Sequence, residues 1–165
     1  MATEPMYRLG WERGEKKLLV VSVGTGGAPV LGQDSSDPDA NVLSSAVTTL
    51  SALMSQAAFD QDINCRTVGR CTFGPLLDRE VLDLVPRDSA GKPIPLSQDL
   101  GRAFLYARYD ADLSEVGLAQ MGLGDINASV VQKLDGVDAI DDLERIGAKV
   151  AQNVSLAHFG ALGTE

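Results

Sequence analysis

The sequence predicts an α/β fold with a mostly parallel sheet, and three observations support that class. Residues 17–23 are aliphatic and β-branched with almost no alternation, which is typical of a strand buried on both faces. Residues 104–109 form a second, aromatic-rich strand. Later segments repeat apolar residues at steps of three and four, as amphipathic helices do. A length of 165 residues suits one domain spanning 1–165.

The first half contains one clear helix between two irregular segments. Residues 34–41 are polar and turn-rich, and they predict a loop that ends at Asn41, the N-cap of a helix over 42–59. Residues 60–95 hold several glycines and prolines, so we expect short elements there. The helix has one apolar stripe, formed by Leu43, Val47, Leu50, Leu53, Met54 and Ala57.

The second half is helical after its strand. Ser114 precedes a short helix over 115–121 that Gly122 ends, and residues 127–134 and 138–156 predict two more helices. Asp141 and Arg145 have the spacing of a favourable i,i+4 pair. The last helix has an apolar stripe formed by Val137, Ile140, Leu143, Ile146, Val150 and Val154.

Two strands make a small sheet for a chain of this length. A strand that is apolar on both sides needs neighbouring parallel strands and helices on both faces. The missing strands belong either to sequence upstream of this chain or to the irregular middle, and the residues favour neither alternative.

Composition and charge exclude several function classes. The formal net charge of −9 repels phosphate backbones, so nucleic acid is not an expected partner. No apolar run approaches the ~20 residues that span a bilayer. The first 13 residues have no signal-peptide pattern, so we expect a cytoplasmic protein. Two cysteines and one histidine are too few for a tetrahedral zinc site of Cys and His ligands, and no cofactor is predicted.

Two motifs near the first strand resemble functional loops but lack essential residues. Gly24 to Gly27 follow the strand where phosphate-binding loops lie, yet Pro29 stands where the dinucleotide fingerprint needs its third glycine. We interpret this segment as a tight turn, with a nucleotide-binding loop as the less favoured alternative. Ser22 has only the second half of a Gly-x-Ser-x-Gly elbow, because Val20 occupies the first glycine position. We therefore interpret Ser22 as structural.

The remaining candidate residues also have simpler explanations. His158 is interpreted as a packing or helix-capping residue, since no nucleophile or orienting acid accompanies it in the sequence. Cys65 and Cys71 are expected to be buried free thiols. The acidic residues Asp138, Asp141, Asp142 and Glu144 predict a solvated helix face. The sequence thus marks no catalytic, cofactor-binding or metal-binding residue.

Three segments in order resemble the C-terminal part of bacterial patatin-like phospholipases. The first is residues 4–15 followed by the strand that ends in Ser22-Val23-Gly24-Thr25-Gly26, a Ser-x-Gly-Thr-Gly pattern that recurs in that family. The second is Arg-Ala-Phe-Leu-Tyr-Ala-Arg-Tyr-Asp at 102–110, and the third is the closing stretch 137–159. The similarity covers nearly the whole chain.

The resemblance implies a patatin-like three-layer sandwich and a lipid acyl hydrolase that uses a serine–aspartate dyad. The family's glycine-rich oxyanion loop, Gly-x-Ser-x-Gly and Asp-Gly-Gly or Asp-Gly-Ala motifs precede the Ser-x-Gly-Thr-Gly strand, and this sequence lacks all three. Asp135-Gly136 continues with Val137 and matches neither the motif nor its position. We therefore expect a C-terminal portion without the N-terminal strands and nucleophile elbow, inactive alone.

In the family the substrate is a lipid or an acyl ester, and the full-length protein would touch membranes only peripherally. A non-catalytic binding or scaffold protein derived from this fold is the alternative from another class of function, motivated by the acidic amphipathic C-terminal helix.

Overall fold

The computed structural model of this chain describes residues 3–27, 42–78, 80–133 and 136–163, and they form a mixed α/β fold. The α/β class and the parallel sheet are therefore confirmed. The strands are β1 (Leu19–Val23), β2 (Arg70–Phe73) and β3 (Leu105–Tyr109). The helices are α1 (Val42–Val68), α2 (Glu115–Gln120), α3 (Ala128–Val131) and α4 (Ile140–Ala151), with 3-10 segments at Pro5–Tyr7, Val137–Ala139 and Leu156–Gly163.

The three strands are all parallel and lie in the order β1-β3-β2. β3 is central, with Leu19 of β1 and Arg70 of β2 both opposite Leu105. The two predicted strands are confirmed. The third strand, β2, comes from the irregular middle of the sequence, which was one of the two places expected to supply neighbours.

β1 is less buried than its sequence predicts. Val21 and Val23 are 44% and 76% exposed, whereas Ala107 and Tyr109, opposite them on β3, are buried. β1 lies at the sheet edge and, within the described part of the chain, pairs only with β3. Burial on both faces is therefore wrong for β1, because the face that carries Val21 and Val23 is left largely open, whereas on the same face of β3 Tyr109 packs against His158.

Helix α1 continues to Val68, past its predicted end at residue 59. The polar residues beyond that point stay helical because Asp62 and Arg66, four positions apart, form a buried ion pair. Gly69 then makes the turn into β2, where a Cβ atom would overlap the ring of Phe104. Asn41, the loop 34–41 and most of the predicted stripe lie outside the residues and side chains described. Leu53, a stripe member that is described, is exposed.

The short helices after β3 begin and end close to where the sequence places them. The Ser114 side chain accepts a hydrogen bond from the Gly117 N–H at 3.1 Å, and Gly122 has φ +75° where α2 ends. The Asn127 side chain likewise accepts from the Ser129 N–H at the start of α3. Their core is formed by Leu113, Leu118, Leu123, Ile126, Ala128, Val131, Ala139 and Ile146.

The apolar stripe predicted for the last helix is only partly correct. Ile146 is buried, but Val137 and Ile140 are largely exposed. The chain forms a 3-10 segment at Val137–Ala139 before α4, and this change of helical pitch turns Ala139 into the core instead of its neighbours.

The ion pair predicted on α4 also differs. Arg145 pairs with Asp142, three positions earlier, and with Asp125, and no ion pair joins it to Asp141. These pairs lie at the protein surface, so little stability is expected from them.

Candidate functional site

The candidate site lies at the carboxyl edge of the sheet, where ligands bind in open parallel sheets. The glycine segment that follows β1 runs beside the residues that follow β3. The Gly24 N–H donates to the Tyr109 carbonyl at 2.8 Å, and the Gly27 N–H donates to the Ala111 carbonyl at 3.0 Å. The Gly27 carbonyl accepts from the Leu113 N–H at 2.9 Å. The glycine segment thus extends the pairing of β1 and β3 beyond the strands.

The carboxylate of Asp110 occupies the inside of this glycine segment. Its Oδ1 accepts from the Gly26 N–H and from the Ala111 N–H, both at 3.0 Å. A Cβ on Gly24 would overlap that carboxyl group, and Gly26 has φ +90°, so both positions require glycine. Of the amides that a bound phosphate would need, that of Gly26 already binds a carboxylate of the chain, and those of Gly24 and Gly27 donate to backbone carbonyls. The geometry therefore favours the tight turn over the nucleotide-binding alternative.

Arg108 connects Asp110 to the rest of the site. Its Nη2 lies 2.5 Å from Asp110 Oδ2, and its Nη1 donates to the Ser22 hydroxyl at 2.9 Å. Its Nε is 3.6 Å from a carboxylate oxygen of Asp62, on α1. Burial alone would lower the pKa of Arg108, but the two carboxylates, Asp110 first, raise it.

Asp62 is shared by two arginines. Its two carboxylate oxygens accept from Arg66 Nε and Nη2 at 2.8 and 2.7 Å, in a buried bidentate pair. Arg66 also donates to the carbonyls of Pro75 and Asp83. Together with Arg108 and Asp110, two arginines and two aspartates balance each other between α1 and the sheet edge.

This arrangement holds Ser22 in place and gives it no general base. The guanidinium that touches its hydroxyl cannot take a proton. The nearby Tyr106 hydroxyl is hydrogen-bonded to Ser22 and Asp62, and burial, the largest cause, raises the pKa of Tyr106 to about 12. A serine nucleophile needs an adjacent proton acceptor, so the geometry agrees with a structural Ser22.

His158 lies on the opposite face of β3 from Arg108, beside the last residues of β2 and β3. Its Nδ1 is 2.9 Å from the Tyr109 hydroxyl, and its ring stacks on Phe73 with centroids 4.3 Å apart. Burial lowers the pKa of His158. These contacts are those of a packing residue, as expected.

The two cysteines are free thiols. Cys71 is buried, and burial raises the pKa of its thiol to about 11. Cys65 is only half-buried, which differs from the expected burial, and desolvation raises its pKa as well. Over the described ranges, no group of three or more His, Cys, Asp or Glu side chains is placed to hold a metal ion.

A second buried charge pair fixes the start of the chain to the sheet. Arg70 Nη1 donates to Glu15 Oε2 at 2.8 Å, and both side chains are almost fully buried. Glu15 Oε1 accepts from the N–H groups of Leu100 and Arg102. Arg70 also donates to the carbonyls of Ile94, Pro95 and Gln98. This pair organises the irregular segment before β3.

Sequence reasoning missed both charge networks. Asp62 and Arg66 have a detectable i,i+4 spacing, but they were assigned to the irregular segment 60–95, whose glycines and prolines begin only at Gly69. Arg108 and Asp110 stand two positions apart at the end of β3, a spacing that places them on one face of the sheet but does not by itself predict an ion pair. Glu15 and Arg70 are far apart in sequence, so only the fold brings them together.

Comparison with known proteins does not identify a family. No protein-family model matches the sequence, and neither the curated proteins nor the solved structures give a match. Among the described residues, no helix has the length and apolar character needed to cross a membrane.

Proposed function

We propose that this chain is the C-terminal part of a patatin-like lipid acyl hydrolase, the part that supports the site without supplying its nucleophile. The observation that carries the proposal is the ordered resemblance of its three segments to that family. The substrate is then a lipid or another acyl ester, hydrolysed by a serine–aspartate dyad outside this sequence.

The geometry around the Ser-x-Gly-Thr-Gly segment supports this proposal. The segment is the end of a parallel strand, and Asp110 fixes its glycines against the end of β3. Fixed backbone at the carboxyl edge of a sheet is the kind of support that a neighbouring reactive site needs. Within the described residues β1 is an edge strand, which leaves room for a further strand to pair with it, and Val21 and Val23 expose an apolar face that a further layer would cover.

The chain alone is proposed to be inactive. It has no Gly-x-Ser-x-Gly elbow and no Asp-Gly-Gly or Asp-Gly-Ala motif. Ser22, the serine next to the glycine segment, accepts a hydrogen bond from Arg108, and in the described part of the chain no hydrogen bond joins it to a carboxylate or a histidine. The dyad and the oxyanion donors must therefore come from elsewhere.

The test has two parts. The purified chain should not hydrolyse a short acyl ester and should not be labelled by a serine-reactive fluorophosphonate, with Ser22→Ala indistinguishable from the parent chain. Turnover that Ser22→Ala abolishes would contradict the proposal. The DNA preceding the Met1 codon should encode, in frame, Gly-x-Ser-x-Gly and Asp-Gly-Gly. Coding sequence there with neither motif would favour the non-catalytic alternative instead.

A further inference from the structure

Residues 3–13 form a closed loop on the surface, the N-terminal loop. The Arg13 Nε donates to the Thr3 hydroxyl at 3.1 Å, and the Arg13 guanidinium also pairs with Glu4, so the two ends of the loop are joined. The 3-10 turn Pro5–Tyr7 lies between them. Directly after the loop, the Gly14 N–H donates to the Ala103 carbonyl at 2.8 Å. The loop is therefore closed at its two ends and is attached to the backbone at Ala103.

The N-terminal loop exposes four large apolar side chains within six consecutive positions. Met6, Tyr7, Leu9 and Trp11 are 78%, 46%, 55% and 57% exposed. Single exposed apolar residues are common on protein surfaces, but such a dense series on one loop marks an interaction site. Trp and Tyr combine an apolar ring with a polar group, which suits a boundary between water and hydrocarbon.

The charge around the loop is opposite to that of the rest of the chain. Residues 1–17 carry four basic and three acidic side chains, whereas the remaining residues carry ten and twenty. One of the three acids, Glu15, is buried against Arg70. Arg8 and Lys16 form no ion pair with any residue that the structure describes. A partner surface at this loop should therefore be anionic.

We propose that the N-terminal loop docks the protein on an anionic lipid surface. Met6, Leu9 and Trp11 enter the boundary between headgroups and acyl chains, while Arg8 and Lys16 contact lipid phosphates. The acidic remainder of the chain is repelled by the same surface, so it stays in solution and only the loop makes contact. The inference gives a location to the peripheral membrane contact of the proposed function, and to that extent rests on it.

Vesicle binding tests the proposal directly. Trp11 is the single tryptophan of the chain, so its fluorescence reports on this loop alone. Vesicles of equal parts phosphatidylcholine and phosphatidylglycerol should shift the Trp11 emission to shorter wavelength and sediment the protein. Vesicles of phosphatidylcholine alone should bind it more weakly, because Arg8 and Lys16 then have no anionic lipid to attract them.

Variants separate the apolar from the electrostatic contribution. Leu9→Ser should weaken binding to both vesicle types by about tenfold, since an apolar side chain is lost from the interface. Arg8→Ser and Lys16→Ser should each weaken binding to the anionic vesicles by about fivefold, with little effect on the neutral ones. Val116→Ser and Lys149→Ser are matched controls, because both residues are exposed but lie on α2 and α4. Both controls should bind as the parent chain does.

Three outcomes would overturn the docking proposal. In the first, anionic vesicles leave the Trp11 emission unchanged and do not sediment the protein. In the second, Leu9→Ser binds these vesicles as tightly as the parent chain does. In the third, the chain is a dimer without lipid and Leu9→Ser makes it monomeric, which assigns the loop to self-association. If the chain binds vesicles but the upstream DNA encodes no hydrolase motif, the docking proposal stands and the hydrolase proposal is refuted. The failure of one proposal can therefore be told apart from the failure of the other. Far-ultraviolet circular dichroism of each variant confirms that it is folded.

Discussion

Replacing Glu15 with glutamine should strongly destabilise the fold. The substitution keeps the shape of the side chain and one oxygen for the N–H groups of Leu100 and Arg102, but it sets an NH2 group against the Arg70 guanidinium. Both side chains of the pair are almost fully buried, so water cannot replace the lost carboxylate. Removing one partner of such a pair costs about 3–5 kcal/mol, because the other charge stays buried without compensation.

That cost is a large part of the stability of a domain of this size. Typical unfolding free energies are about 5–15 kcal/mol, so Glu15→Gln should remove a substantial fraction of the total. In a domain of this length, each kcal/mol moves the melting temperature by about 2–4 °C, and a decrease of roughly 6–20 °C is expected. Urea unfolding followed by circular dichroism should give a lower midpoint with an unchanged slope.

Glu12→Gln is the matched control. Glu12 belongs to the same segment and pairs with Lys17, but both side chains are exposed, so its replacement should leave the stability nearly unchanged. If Glu15→Gln costs less than about 1 kcal/mol, or no more than Glu12→Gln does, the Glu15 carboxylate does not hold the buried network together and the reasoning is refuted.

Three further predictions concern the sheet edge, the histidine and the thiols. Gly24→Ala should lower the free energy of unfolding in urea by about 1–3 kcal/mol, because the added Cβ overlaps the carboxyl group of Asp110. Gly27→Ala places its Cβ in open space and should leave the stability unchanged. Equal losses of stability in the two variants would contradict this geometry. Burial lowers the pKa of His158, so the unfolded chain binds the proton more readily than the folded chain does. The melting temperature should therefore fall as the pH decreases below about 6.5, and the melting temperature of His158→Phe should not show this decrease. With a pKa of about 11, Cys71 should react with a thiol reagent at pH 8 only after unfolding, so the native chain should show at most one reactive thiol; two reactive thiols would refute its burial.

Local sequence signals predicted the elements whose stability is local. Ser114 and Gly122 bound α2 as expected, because an N-cap oxygen and a left-handed C-terminal residue act within one helical turn. The apolar composition of β1 and β3 was sufficient to identify both as strands. Composition did not predict where each strand lies in the sheet. The aliphatic sequence of β1 is typical of a central strand, yet Val21 and Val23 are exposed at an edge.

The polar interactions of the candidate site could not be predicted because they depend on distant pairings. Asp62 was assigned to an irregular segment on local composition. In the fold it lies on α1, where it pairs with Arg66 of the same helix and with Arg108 of β3. Asp110 follows a strand like many surface acids, and only the fold brings it to the amide of Gly26. Side chains that satisfy buried backbone groups far away in sequence leave no periodic signal for a pattern search.

The order of strands in the sheet has a consequence for how the chain acquires its structure. Among the described strands, β3 is the last to be synthesised and the central one, and β1 and β2 do not pair with each other. Among these strands, the partner of Leu19 is Leu105, far later in the sequence. No pairing among these three strands can therefore form on the ribosome until β3 has emerged, and until then β1 has no partner among them. Such late, long-range pairing slows folding and exposes nascent chains to aggregation, so chaperone protection of β1 is most valuable before β3 arrives.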